Sequence, residues 1–128
     1  MQDRFKFRFW DKKEKEYFTC GNIDHKSGIF KTYPYRTYNW CFEHKNIIAE
    51  QCTGLKDKNS KLIYEGDIVK LSSDRSVLCP VVWDNEETGF CVKYKKELYR
   101  FNPYKKYHLL EVIGNIHENA DLLEVKND

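Results

Sequence analysis

The stretch Gln51-Cys52-Thr53-Gly54-Leu55-Lys56-Asp57, continued by Ile63-Tyr64-Glu65-Gly66-Asp67-Ile68-Val69, constrains the fold more than any other part of this chain. Its turn formers stand too close together for a helix. A Glu-Gly-Asp turn followed at once by an apolar strand opens many small β-barrels. Gly66 is expected to supply a backbone angle that other residues resist. Asp67 is expected to accept hydrogen bonds from neighbouring backbone N–H groups.

Composition points the same way. Aromatic residues make up 16% of the chain, and alanine occurs only at Ala49 and Ala120. Aromatic and β-branched side chains suit the pleated, half-buried surface of a sheet. With 128 residues the chain can bury a core without staples. Its net charge of +2 supplies no whole-chain attraction to nucleic acid or membrane. The five cysteines, Cys20, Cys41, Cys52, Cys79 and Cys91, lie far apart and form no CxxC. That usage fits scattered thiols in a reducing cytoplasm better than a disulfide framework. Cys41 and His44 form one pair of potential zinc ligands without a second pair nearby, so no metal site and no cofactor is expected. Arg4, Lys6 and Arg8 interrupt any N-terminal signal sequence, and no stretch approaches the length of a membrane span.

Along the chain the period of the apolar residues is two. Phe5, Phe7 and Phe9 alternate with Arg4, Lys6, Arg8 and Trp10, which predicts a strand with an aromatic face and a largely basic face. Asp11 to Lys15 reads as a charged turn and Tyr17 to Cys20 as the returning strand. Residues 30–42 mix Tyr33, Tyr35, Tyr38, Trp40 and Phe42 with Pro34 and Arg36, and a helix is not expected there. Further strands are expected at 46–52, 68–71, 77–83, 90–94 and 111–116. Pro80 implies an edge or a bulge, and Gly114 a bulge or a close backbone approach. Residues 95–108 read as an inserted loop or short helix. Glu118 to Leu123 reads as a helical turn with Asn119 as its cap. The expected fold is all-β: an SH3-like small barrel over residues 51–128, an N-terminal β-rich extension over 1–50, and a short C-terminal helical turn, packed as one compact unit.

Four blocks resemble the YopX family of bacteriophage and prophage proteins, in the family's order. They are Arg8-Phe9-Trp10-Asp11; Gln51 to Asp57 with Tyr64 to Val69; Val82-Trp83-Asp84 with Gly89-Phe90; and Glu111-Val112-Ile113-Gly114-Asn115-Ile116-His117-Glu118-Asn119 before Leu122-Leu123. The chain departs from the family pattern at Cys52, Ser60 and Ala120, where an aromatic, a glycine and a proline are usual. The resemblance implies an all-β protein with an SH3-type barrel, encoded by phage or by integrated phage DNA. It brings no activity and no catalytic residue with it.

The residues themselves support three readings. Protein-directed binding comes first, because it needs no motif that the chain lacks. Tyr33, Tyr35, Tyr38 and Trp40 are the candidate anchors, since Tyr, Trp and Arg dominate interface hot spots, and strand edges offer self-association into a homo-oligomer as well. Single-stranded nucleic-acid binding comes second. The stretch 93–107 holds Lys95, Lys96, Tyr99, Arg100, Tyr104, Lys105 and Lys106, cations for phosphates and rings for bases, and the basic face at Arg4, Lys6 and Arg8 would extend it. On a half-buried strand, however, the ordinary fate of such rings is the core. A small metal-dependent enzyme comes last. Glu65 and Asp67 are two carboxylates in one turn, but no P-loop, GxSxG or HExxH accompanies them.

Overall fold

The structure is a computed structural model that describes residues 6–20, 31–33, 36–71, 77–100 and 110–124. Its elements are β1 (Phe7–Asp11), β2 (Glu16–Cys20), β3 (Lys31–Tyr33), α1 (Tyr38–Glu43), β4 (Ile47–Lys56), β5 (Leu62–Tyr64), β6 (Asp67–Leu71), β7 (Leu78–Asp84), β8 (Gly89–Tyr94), β9 (Glu97–Arg100), β10 (Leu110–Asn115) and α2 (Asp121–Glu124). Strands dominate, arranged in two sheets, so the protein is all-β. The chain divides into two units, Met1–Cys52 and Thr53–Asp128, and the division falls within β4.

The first sheet has the strand order β3-β2-β1-β4-β5. β1 pairs antiparallel with β2 and β4, placing Phe9 opposite both Phe18 and Ala49, while β3 runs parallel to β2. The hairpin between β1 and β2 is closed by Asp11, whose Oδ1 accepts the N–H groups of Lys13 and Glu14 at 2.9 and 3.0 Å. Phe9, Phe18, Cys20, Cys41 and Ile47 form the core, with Phe7, Tyr33 and Ala49 packed against it. Burying each large side chain contributes about 1.5–3 kcal/mol.

The alternate face of β1 departs from expectation. Arg8 and Trp10 are buried, not a solvated basic surface. Arg8 Nε lies 2.8 Å from Glu50 Oε1, and the Tyr17 hydroxyl donates to the same oxygen at 2.9 Å. The Arg8 guanidinium also sits 4.3 Å from the centre of the Tyr17 ring. Register explains this, because β4 brings Glu50 directly opposite Arg8. Removing one member of such a pair would leave a buried charge, at a cost of about 3–5 kcal/mol. Arg8 is therefore not available to a phosphate.

In the second unit the order is β10-β6-β7-β8-β9, and the neighbouring strands pair antiparallel. Ile63, Val69, Cys79, Val81, Val92, Leu110 and Val112 form its core. The order ends on β10 and β9, and among the described residues no ladder closes between them. Pro80 lies in an interior strand, not at an edge. β7 pairs with β6 through Pro80 and with β8 from Val81 onward, so the missing N–H falls at the handover.

The opening segment of this unit is held by two buried aspartates. Asp67 Oδ2 accepts the Tyr64 N–H at 2.7 Å across the Glu65-Gly66 turn, where Gly66 has φ 91°. Gly66 also donates to Val81 O and accepts from Ile116 N. Asp57 accepts from the N–H groups of Asn59, Lys61 and Val112. Asp67 thus closes the turn that leads into β6. At the other end β10 bulges between Val112 and Gly114. Asn119 does not cap α2 with its side chain; its Oδ1 accepts the Asn115 N–H at 3.1 Å. Segment 97–100, expected as loop or helix, is strand β9.

Candidate functional site

Tyr38–Glu43 form helix α1 where none is expected from the sequence. Thr37 is extended, with φ −87° and ψ 160°, and its side chain accepts the Trp40 N–H. The Cys41 N–H then reaches Thr37 O at 3.1 Å, and the His44 N–H reaches Trp40 O at 3.0 Å. Six residues are too few for a helix to persist alone. Packing holds it, because Cys41 turns inward beside Cys20 in the core of the first unit.

The helix sorts its aromatic residues by phase. Tyr38 and Phe42, one turn apart, stand over the edge of the β1 phenylalanines. Phe42 meets Phe7 and Phe9 edge-on at 5.2 and 5.6 Å between centroids, and Tyr38 lies 6.0 Å from Phe9. Trp40 and His44 form a second pair, 4.6 Å apart. All three large rings remain in contact with solvent, at 37% exposure for Tyr38, 39% for Trp40 and 50% for Phe42. Cys41 Sγ faces Cys20, while His44 lies beside Trp40 and its Nδ1 accepts the Asn46 N–H at 3.2 Å.

Arg36 sits beside this face. Its guanidinium lies 4.1 Å from the Tyr33 ring centre, 4.5 Å from Phe18 and 4.7 Å from Trp40. Arg36 Nη1 is buried without a hydrogen-bond partner among the described residues. Stacking on electron-rich ring faces compensates part of that loss. Below it, Cys41 Sγ stands 3.5 Å from Cys20 Sγ. Burial pushes the Cys41 thiol up to about 12, with the neighbouring Cys20 adding to the rise and Arg36 opposing it. Cys20 is raised by burial as well, and the Tyr38 phenol is raised first by burial and then by the two sulfurs.

Of the anchors expected from the sequence, Tyr38 and Trp40 are exposed on α1. Tyr33 is half-buried, meets Phe18 edge-on at 5.4 Å, and donates its hydroxyl to Glu16 Oε2 at 2.8 Å. Tyr35 lies outside the described residues. Phe42 and Arg36, not singled out as site residues, complete the face. The four-residue spacing of Tyr38 and Phe42 was the available signal, masked by Pro34 and by the aromatic density that favours strands.

The basic candidates occupy the β8–β9 hairpin. Lys95 and Lys96 form its two-residue tip, with φ 50° and 70°. Tyr99 is 48% exposed and donates to Glu97 Oε2 at 2.9 Å, a bond that holds its phenol above the ordinary value. Arg100 is engaged: its Nε lies 2.8 Å from Glu87 Oε2 and its Nη2 3.7 Å from Asp84 Oδ2. Tyr104, Lys105 and Lys106 lie outside the described residues. Among the described residues no helix is long and apolar enough to cross a membrane.

Comparison with solved structures finds protein EF1440 from Enterococcus faecalis, with 27% sequence identity and a TM-score of 0.58 over 92% of this chain and 96% of that one. No curated protein matches. The model of the family described as YopX protein matches residues 6–124, nearly the whole length. The four sequence blocks lie on β1, on β4 to β6, on β7 with β8, and on β10 with its following turn. The chain belongs to the YopX family.

Proposed function

We propose that this protein is a phage-type accessory factor of the bacterial cytoplasm that acts by binding another protein, without catalysis, through the aromatic face of α1. One observation carries the reading: Tyr38, Trp40 and Phe42 are all exposed on a single six-residue helix. Large aromatic side chains presented on a packed element are what interface hot spots are made of. Arg36, stacked at the margin, adds a cation of the kind enriched there. In this reading the second unit is an SH3-like barrel. The order β10-β6-β7-β8-β9, a four-strand meander with the last strand returned beside the first, supports that assignment.

Affinity capture from cells carrying the phage tests the proposal, with sedimentation to detect self-association. The wild type is expected to retain a defined partner or to form a discrete homo-oligomer. A Trp40→Ser/Phe42→Ser variant is expected to lose that association with an unchanged circular-dichroism spectrum. A monomer that captures nothing, or identical capture by the variant, would count against the α1 face.

The β8–β9 hairpin supports a second reading, single-stranded nucleic-acid binding, because Lys95, Lys96 and Tyr99 are exposed together there. Changing Lys95 and Lys96 to Glu should then abolish retention of an oligonucleotide. Unchanged retention removes the hairpin from consideration.

A further inference from the structure

We propose that Cys20 and Cys41 are a site of reversible oxidation, at which a hydroperoxide converts the two thiols to a disulfide that pins α1 to β2. The sulfurs are 3.5 Å apart, and both residues are fully buried in one core. A disulfide needs a separation of about 2.05 Å, so closure asks for a shift of side-chain size. Cys20 ends β2, and Cys41 is the inward residue of α1. The bond would close the segment 21–40 into a loop and tie down the helix that carries the exposed rings.

The chemistry balances. The thiolate of one cysteine attacks a peroxide oxygen and breaks the O–O bond, which gives a sulfenic acid and hydroxide. The sulfur of the other cysteine attacks the sulfenic sulfur and expels a second hydroxide. The two protons released by the thiols neutralise both, so hydrogen peroxide leaves as two waters. Two thiols have lost two electrons and two protons. Thiolate is the attacking form, and burial keeps it scarce at neutral pH. Arg36 opposes that penalty at both sulfurs. The pair is therefore slow to react while α1 is seated. Six helical residues held by tertiary packing can open locally without global unfolding, and such an opening admits the oxidant. None of this depends on α1 being a docking surface.

Folded protein treated with hydrogen peroxide, then alkylated in denaturant and peptide-mapped by mass spectrometry, tests the proposal. The expected product is a crosslinked peptide pair containing Cys20 and Cys41, lighter by two hydrogens. The other three of the five cysteines should be alkylated, and dithiothreitol should restore all five. The rate should rise with pH and fall severalfold in Arg36→Gln. Persistence of five free thiols, over-oxidation without a crosslink, or equal crosslinking of other cysteine pairs would overturn it. A Cys41→Ser variant should give no crosslink; should that variant not fold, the wild-type peptide map decides alone.

Discussion

A Cβ built on Gly114 would lie 2.5 Å from Asn119 Oδ1 and 2.7 Å from Asn119 Cγ. The oxygen cannot simply swing away, because it accepts the Asn115 N–H. Asn115 in turn accepts from His117 N and Glu118 N and donates to Glu118 Oε1. Gly114→Ala is therefore expected to destabilise the second unit by about 1–3 kcal/mol, from overpacking and a lost buried hydrogen bond. A urea midpoint unchanged from the wild type would contradict this. Much at this scale was legible in advance. Gly66, Asp67 and Gly114 do what their residue types imply in tight turns and bulges. Asp57 was readable as part of a polar turn, but its bond to Val112 N, 55 residues away, was not.

Elements were legible where period two was uninterrupted and obscure where local and tertiary preferences differed. β1 and β2 follow their alternation and their charged turn. Both faces of β1 are buried, though, and no alternation pattern announces that Arg8 will meet Glu50. α1 was missed because its residues favour strands; a threonine cap and one inward cysteine outweigh that preference. The β8–β9 hairpin shows the converse. Its tip places Lys95 and Lys96 at positive φ, where Asn-Gly is the favoured pair. Replacing Lys95-Lys96 with Asn-Gly should stabilise the hairpin by about 1 kcal/mol, since left-handed backbone is costly for ordinary side chains. Thermal unfolding reads this directly, and a lowered melting temperature would sink the argument. Should the same variant also lose binding to a target, the lysines are kept for function against local strain.

At the scale of the molecule each unit has its own core, one aromatic and sulfur-lined, the other aliphatic. Charge is nearly balanced, and Arg8 and Arg100 are paired with carboxylates. Single-stranded DNA should therefore be retained weakly, and fluorescence anisotropy should show the signal vanish near about 0.15 M salt, where screening is short-ranged. Tight binding that survives that salt would favour the hairpin over the α1 face. Sequence alone determined the family, the all-β class and the turns from Gln51 to Val69, because glycine, aspartate and apolar alternation act through local backbone geometry. Tertiary structure decided which rings and cations remain outside. Burial depends on what the register and the neighbouring strands bring opposite a residue, and that information lies tens of residues away in the chain.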